Sequence, residues 1–257
     1  MEPRSFQAAL VVPAYNEEES IGASLDAIPG GLFARIVVAV NGTSDRTADI
    51  ARARGAQVVE VAERGYGAAC LAALEVVTEP VVAFLQADGS EDPREAWALA
   101  RRVADGECDF ALGDRHTATR PHQRAGNALA VWLIRLIWGY RYRDLGPLRA
   151  IRTDALRALK MRDRNYGWTV EMQIRAVETG LRIVETPVRQ GARVAGEEKV
   201  SGNWRASVRA GWVILRTVGR LALTKSRRWA ASPSRQAGGT VRPEVTRPPA
   251  EPAREIR

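Results

Sequence analysis

Cysteine and histidine are scarce in this chain, with two of each among 257 residues. Cys70 and Cys108 stand at no metal-site or redox spacing. That excludes a disulfide-stapled framework and reads as two small buried residues in a reducing cytoplasm. His116 and His122 lie in a polar stretch without the further ligands zinc requires, so a solvated loop is the simpler reading. No run reaches the roughly 18 uninterrupted apolar residues of a spanning helix. The longest candidate, Ala128–Trp138, is interrupted by Arg135. The first residues show no basic start followed by an apolar run, so no signal peptide is expected. Acidic residues are missing from Lys199–Trp229, a stretch with eight Lys or Arg.

What is present fits a soluble chain with a sizeable core: 46% hydrophobic and 26% charged residues, enough for one globular domain with appendages. The net charge of +8 is unevenly placed. Lys199–Trp229 carries +8 and Ala230–Arg257 carries +2, which leaves the first 198 residues at −2. A basic block of this kind favours an anionic surface, either phospholipid or nucleic acid. No aromatic-basic β platform or zinc module accompanies the charge, so nucleic acid is set aside.

The first half alternates between two patterns. Short β-branched runs at Ala9–Val12, Ile36–Val40, Val58–Val61, Val81–Leu85 and Phe110–Leu112 predict strands. Between them, Glu17–Ala27, Ser44–Ala53, Tyr66–Val77 and Arg94–Ala104 predict helices. Such alternation implies an α/β fold with a mostly parallel sheet covered on both faces. Beyond a polar loop at Asp114–Gln123, helices are expected at Asn127–Trp138, Asp154–Leu159, Thr169–Thr179 and Asn203–Thr224, with a strand at Arg182–Glu185. The organisation expected is a globular domain over 1–202, a basic amphipathic helix over 203–229 and a disordered tail over 230–257.

In open parallel sheets ligands bind beyond the carboxyl ends of the strands, so the polar turns there are the ones to read. Pro13-Ala14-Tyr15-Asn16-Glu17 follows the first predicted strand and Asn41-Gly42-Thr43-Ser44-Asp45 the second. Arg64-Gly65-Tyr66-Gly67 follows the third, a basic, glycine-bearing turn into a helix that suits phosphate. Gln86-Ala87-Asp88-Gly89-Ser90-Glu91-Asp92-Pro93 follows the fourth. Each alone reads as a cap or turn. Four polar turns on one sheet edge point to a site.

Together the strings VVPAYNEEESI (Val11–Ile21), NGTSDRTADIA (Asn41–Ala51), RGYGAA (Arg64–Ala69) and QADGSEDP (Gln86–Pro93) resemble glycosyltransferase family 2 in order and spacing. DLGPLRAIR (Asp144–Arg152), YGWTVEMQIRA (Tyr166–Ala176) and GEEKVSG (Gly196–Gly202) resemble its polyprenyl- or dolichyl-phosphate sugar transferase branch. The resemblance implies a GT-A fold, a divalent metal (Mg²⁺ or Mn²⁺), a UDP- or GDP-sugar donor and an inverting transfer. It implies that Pro13, Tyr15, Glu17, Asn41, Arg64, Gly67, Gln86, Ala87 and Asp88 line the donor pocket. Asp88 matches the last acid of the family's metal motif. Arg115, Arg124 and Lys199 fall where relatives hold diphosphate or acceptor phosphate, which makes Asp88, Arg115 and Lys199 the expected catalytic set and Arg124 and Lys199 the acceptor contacts.

Two positions depart from the family pattern. Gln86 replaces the first acid of the metal motif, and Val40 stands where relatives usually have an Asp. One carboxylate still suffices where Mg²⁺ is completed by water and phosphate oxygens. Glu171 is either a catalytic base or a helix-surface charge. In Asn203–Thr224, Arg205, Arg209, Arg216 and Arg220 fall within a stripe of roughly 60°, flanked by Trp204, Val208, Trp212, Ile214, Leu215, Val218 and Ala222. The helix either lies on an anionic bilayer, with Ala128–Trp138 as a second interfacial element, or packs its apolar side on the core with the Arg stripe in water. The expected activity is transfer of a sugar to a polyprenyl phosphate at the cytoplasmic membrane face. The alternatives are a catalytically silent nucleotide-sugar binder, a transferase with a soluble hydroxyl acceptor, and a nucleotidyltransferase. The last would carry a Gly-rich basic loop where this chain has Pro-Ala-Tyr-Asn-Glu.

Overall fold

The computed structural model describes residues 6–115, 121–195 and 204–230, with side chains described outside 121–125, 204–210 and 226–230. Five strands precede position 115: β1 (Ala8–Ala14), β2 (Arg35–Asn41), β3 (Gln57–Val61), β4 (Val81–Phe84) and β5 (Phe110–Asp114). They alternate with α1 (Ile21–Asp26), α2 (Thr47–Ala53), α3 (Tyr66–Val76) and α4 (Pro93–Ala104). Then come α5 (Pro121–Trp138), β6 (Arg149–Arg152), α6 (Thr153–Ala158), α7 (Gly167–Glu178), β7 (Ile183–Pro187) and α8 (Trp204–Ala230).

The seven strands form one sheet in the order β3-β2-β1-β4-β6-β5-β7. All pair in parallel except β6, which runs antiparallel between β4 and β5, with Val82 opposite Ile151 and Phe110 opposite Ile151. Strands β1, β4 and β5 are nearly all-apolar and buried because helices cover both faces. One face packs Val11, Phe84, Phe110 and Trp168 under α3, α5, α7 and α8. The other packs Leu10, Val12, Ile21, Leu99 and Val103 under α1 and α4.

Several boundaries differ from the sequence expectation. Helix α5 begins at Pro121 and not at Asn127, because proline at the first helical position lacks only a donor that has no partner there anyway. Glu17–Ser20 precedes α1 as a turn whose carbonyl at Glu17 accepts from Ser20 and Ile21. Arg149–Arg152, for which no element is expected, forms strand β6. Helix α8 packs against α7 and α5, with Thr217, Val218 and Leu221 buried in the core. Residues 231–257 of the expected tail lie outside the described residues.

Candidate active site

The carboxyl ends of β1, β2 and β4 meet at one edge of the sheet, and side-chain-to-backbone bonds stitch their turns together. The Asp45 carboxylate accepts from the Glu18 and Thr47 N–H groups and from the Thr47 hydroxyl. Burial pushes its pKa up, but these bonds outweigh it and hold the group below its ordinary value. The Glu17 N–H donates to Thr47 Oγ1 at 2.8 Å, and Asn16 Oδ1 accepts from the Ser44 N–H at 3.2 Å. Asn41, at the end of β2, is buried.

The third turn adds a wall. Gly42 has φ +61°, and a Cβ there would sit 2.6 Å from Cγ of Arg64, so only glycine lets the Arg64 stem cross it. The Arg64 guanidinium then lies over the Tyr15 ring at 4.3 Å. Gly67 corrects the expected phosphate cradle. A Cβ on it would lie 2.1 Å from the Asp163 carbonyl oxygen, and the Ala68 N–H donates to the Arg164 carbonyl at 2.9 Å. The start of α3 is thus covered by the 163–164 backbone, and Gly67 serves that packing, not phosphate.

The fourth turn carries Asp88. Its Oδ1 accepts from the Ser90 N–H at 3.0 Å and the Ser90 hydroxyl at 2.7 Å. Its Oδ2 faces Nη1 of Arg193 at 3.4 Å. The other guanidinium nitrogen, Nη2, pairs with Oε2 of Glu17. Ala87 is buried, and its carbonyl accepts from the Ser24 hydroxyl. Glu91 supports the turn from below, accepting the Gln86 N–H at 2.8 Å through Oε2. Its Oε1 finds no hydrogen-bond partner among the described residues, and burial raises its pKa to about 7.

Arg115, at the end of β5, is clasped by Asp144: Nε to Oδ2 is 2.7 Å and Nη2 to Oδ1 is 3.1 Å. Burial opposes its charge, yet the Asp144 pairing raises its pKa. Asp144 sits on a turn fixed by the fully buried Arg149, whose guanidinium donates to the carbonyls of Gly146, Pro147 and Thr169. Lys199 lies outside the described residues, and Arg124 falls on the described backbone of α5 without a described side chain.

Both readings of Glu171 are corrected. It is fully buried on α7, with Oε2 accepting the Arg162 and Asp163 N–H groups and Oε1 paired with Arg175 at 2.8 Å. It is a structural hub with neither a surface position nor a free oxygen for proton abstraction. Arg220 turns toward it and Asp163, each at 3.7 Å, so it belongs partly to the body and not wholly to an outward stripe. Sequence reasoning missed Arg193, Asp144 and Glu91 as site members. Glu91 stood inside a motif string already singled out; Arg193 carried no signal beyond a basic residue in a polar loop.

The family model described as "Glycosyl transferase family 2" matches residues 9–165. The chain belongs to that family. It is a glycosyltransferase, and its sheet and flanking helices form the GT-A fold. A Mycobacterium tuberculosis relative named only as an uncharacterized glycosyltransferase is 38% identical over 203 residues, covering 77% of this chain and 92% of that protein. A dolichyl-phosphate hexose transferase of Haloferax volcanii is 35% identical over 200 residues, covering 75% of this chain and 86% of that protein. Glucosyl-3-phosphoglycerate synthase from Mycobacterium tuberculosis, solved with Mn²⁺, UDP and glucosyl-3-phosphoglycerate, superimposes with a TM-score of 0.66 at 21% identity, over 84% of this chain and 81% of that one. At that identity the likeness speaks for the fold.

Proposed function

We propose that this glycosyltransferase moves a hexose from a nucleoside-diphosphate sugar to a polyprenyl phosphate, with inversion at the anomeric carbon. The observation that carries the reading is Asp88. Its carboxylate stands beyond the carboxyl end of β4 with Oδ2 turned toward a cation, on the sheet edge whose other turns carry Tyr15, Arg64 and the buried Asn41. The guanidinium there is a stand-in for a positive charge. The donor set around it is oxygen-only, as Mg²⁺ and Mn²⁺ prefer. No group of three acidic, His or Cys residues placed to hold a metal ion occurs among the described residues, so Asp88 would share an ion with the donor's phosphates, with the Gln86 amide oxygen as a neutral helper. A bound divalent ion would offset the charge that grows on the leaving diphosphate.

The chain's own groups then orient the donor. Tyr15 and Arg64 present a flat, cationic wall to a base, and Asn41 offers hydrogen bonds to it. The acceptor class turns on the base, for which the sequence offered one candidate. Glu171 is committed elsewhere. A hydroxyl acceptor needs a base, whereas a lipid phosphate is already anionic at neutral pH and needs none. The dolichyl-phosphate hexose transferase relative supports the same class.

A polyprenyl acceptor sits in a bilayer, and the helices offer a surface for it. On α5 the apolar Leu129, Trp132 and Leu136 share one outward face beside Arg135. On α8, Trp212 is 60% exposed with Arg216 over its ring at 5.4 Å, while Val218 and Leu221 face the core. No helix among the described residues is long and apolar enough to cross a membrane. Tryptophan beside arginine on an outer helix face suits the headgroup layer of an anionic membrane.

The test is a panel of nucleotide sugars with and without polyprenyl phosphate, read by product mass. Transfer to the lipid is the expected result. Transfer to soluble hydroxyl acceptors alone would overturn the acceptor class. A donor that binds but is neither transferred nor hydrolysed would favour a silent binder.

A further inference from the structure

The segment after β7 is laid across the Asp88 turn by its backbone. The Gly191 N–H donates to the Ser90 carbonyl at 2.7 Å, and the Val194 N–H donates to the Asp88 carbonyl at 3.0 Å. Upstream, the Val188 N–H donates to the Asp114 carbonyl at 3.0 Å and the Arg189 N–H to the Glu95 carboxylate at 3.0 Å. The result is a strap that delivers one side chain, Arg193, between two carboxylates of the site. Its Nη1 reaches Asp88 Oδ2 and its Nη2 reaches Glu17 Oε2, while Nε is tied to the Ala195 carbonyl at 2.8 Å. All three charged side chains are largely withdrawn from water, at 15% exposure for Arg193 and for Asp88 and 10% for Glu17.

We infer that Arg193 is the resident counter-cation of the donor site and competes with the divalent ion for Asp88. Two largely buried carboxylates facing one cleft repel each other unless a positive charge lies between them. The planar guanidinium fork can hold both at once, which an ammonium cannot do in the same geometry. Asp88 Oδ1 is committed to Ser90, so Oδ2 is the oxygen left for an ion, and the guanidinium stands against it. A divalent ion arriving alone must displace a cation or sit beside it. An ion arriving with a diphosphate brings its own negative charge and meets no such opposition. Arg193 therefore holds the free enzyme's affinity for metal low and makes metal entry depend on the donor. The inference rests on the proposed metal role of Asp88 and adds to it a residue that sets when the ion binds.

Binding of Mn²⁺ alone to the full chain, followed by the electron paramagnetic resonance of the free ion, reads this without activity. Arg193→Gln should bind Mn²⁺ roughly tenfold tighter than the wild type, within the usual 5–150-fold range of couplings between sites. Arg193→Met should do the same, so misfolding of one variant leaves the other to decide, with circular dichroism and a thermal melt showing which is folded. Arg193→Lys, which keeps the charge but cannot span both carboxylates, should fall between the wild type and Arg193→Gln. Unchanged or weaker Mn²⁺ binding in folded Arg193→Gln and Arg193→Met overturns the inference. Asp88→Asn in the Arg193→Gln background separates the two layers. If Mn²⁺ binding survives there, the metal role of Asp88 fails. If it is lost there while Arg193→Gln binds no better than the wild type, only the counter-cation role fails.

Discussion

The Arg115 guanidinium lies across the Asp144 carboxylate as a two-bonded fork, and the Arg115 backbone N–H donates to the same carboxylate at 3.2 Å. With Arg115 at 16% and Asp144 at 7% side-chain exposure, the pair is largely desolvated. It joins the end of β5 to the turn that Arg149 holds. Removing one partner would leave a buried charge alone. Asp144→Ala should therefore cost about 3–5 kcal/mol of stability, and Arg115→Met/Asp144→Leu considerably less. Denaturant titration of both variants checks the difference. Equal losses would mean that the fork contributes through packing and not through charge.

Asp88→Ala should lower sugar transfer by about 10²-fold or more without unfolding the chain, since removing one preorganised electrostatic group commonly costs that much. Its Oδ1 bonds to Ser90 are local to the turn, so the melting temperature should fall by only a few degrees. Full transfer by this variant, or wild-type activity indifferent to chelator, would remove metal from the account.

Gln86→Asp returns the missing acid to the metal motif. The Glu91 carboxylate bonds the backbone N–H of residue 86, not its side chain, so the turn has no evident reason to reshape. Activity titrated with Mg²⁺ and Mn²⁺ should half-saturate at a lower concentration in the variant. A higher half-saturating concentration would show that the site is built around the amide.

Glu185, on β7, accepts the Arg143 N–H at 2.8 Å and the Asp144 N–H at 3.4 Å. Burial raises its pKa to about 7, aided by nearby Asp114 and opposed by those N–H bonds and the Arg143 charge. Its native pKa lies above its unfolded value, so the folded state binds more protons between about pH 4.5 and 7. Its contribution is fully present below that window and is lost as pH rises through it. Glu185→Gln should gain melting temperature relative to wild type from pH 5 to pH 8. A difference that stays flat across that range would contradict the shift.

Liposome flotation tests the membrane reading. Wild type should float with anionic vesicles at low salt, and less at high salt, because screening shortens the reach of the field. Arg209→Glu/Arg216→Glu should detach it, as each basic residue near an anionic surface contributes about 1 kcal/mol. Trp132→Ser/Trp212→Ser should weaken binding and spare the fold, both rings being more than half exposed. Equal flotation on neutral and anionic vesicles, or none on either, would leave the Arg stripe as a solvated face and favour a soluble acceptor.

Local pattern carried much of this protein. Apolar β-branched runs alternating with helical patterns determined five strands and their sheet edge, because backbone period and turn chemistry are written within a few residues. The same locality brought out Tyr15, Asn41, Arg64 and Asp88 as residues of one edge, and the structure does bring their turns together. What the chain does at long range was not legible. Strand β6 lies antiparallel between β4 and β5, although nothing in Arg149–Arg152 names either neighbour. Gly67 lost its phosphate role to the 163–164 backbone, and Glu171 proved a buried hub where a surface charge or a base was expected. Arg193 meets Asp88 across 105 positions and Glu17 across 176. A side chain's charge is visible in the sequence, but its partner is chosen by the closure of the whole sheet. Only tertiary structure decides which carboxylates are left facing water, which face the core, and which share one guanidinium.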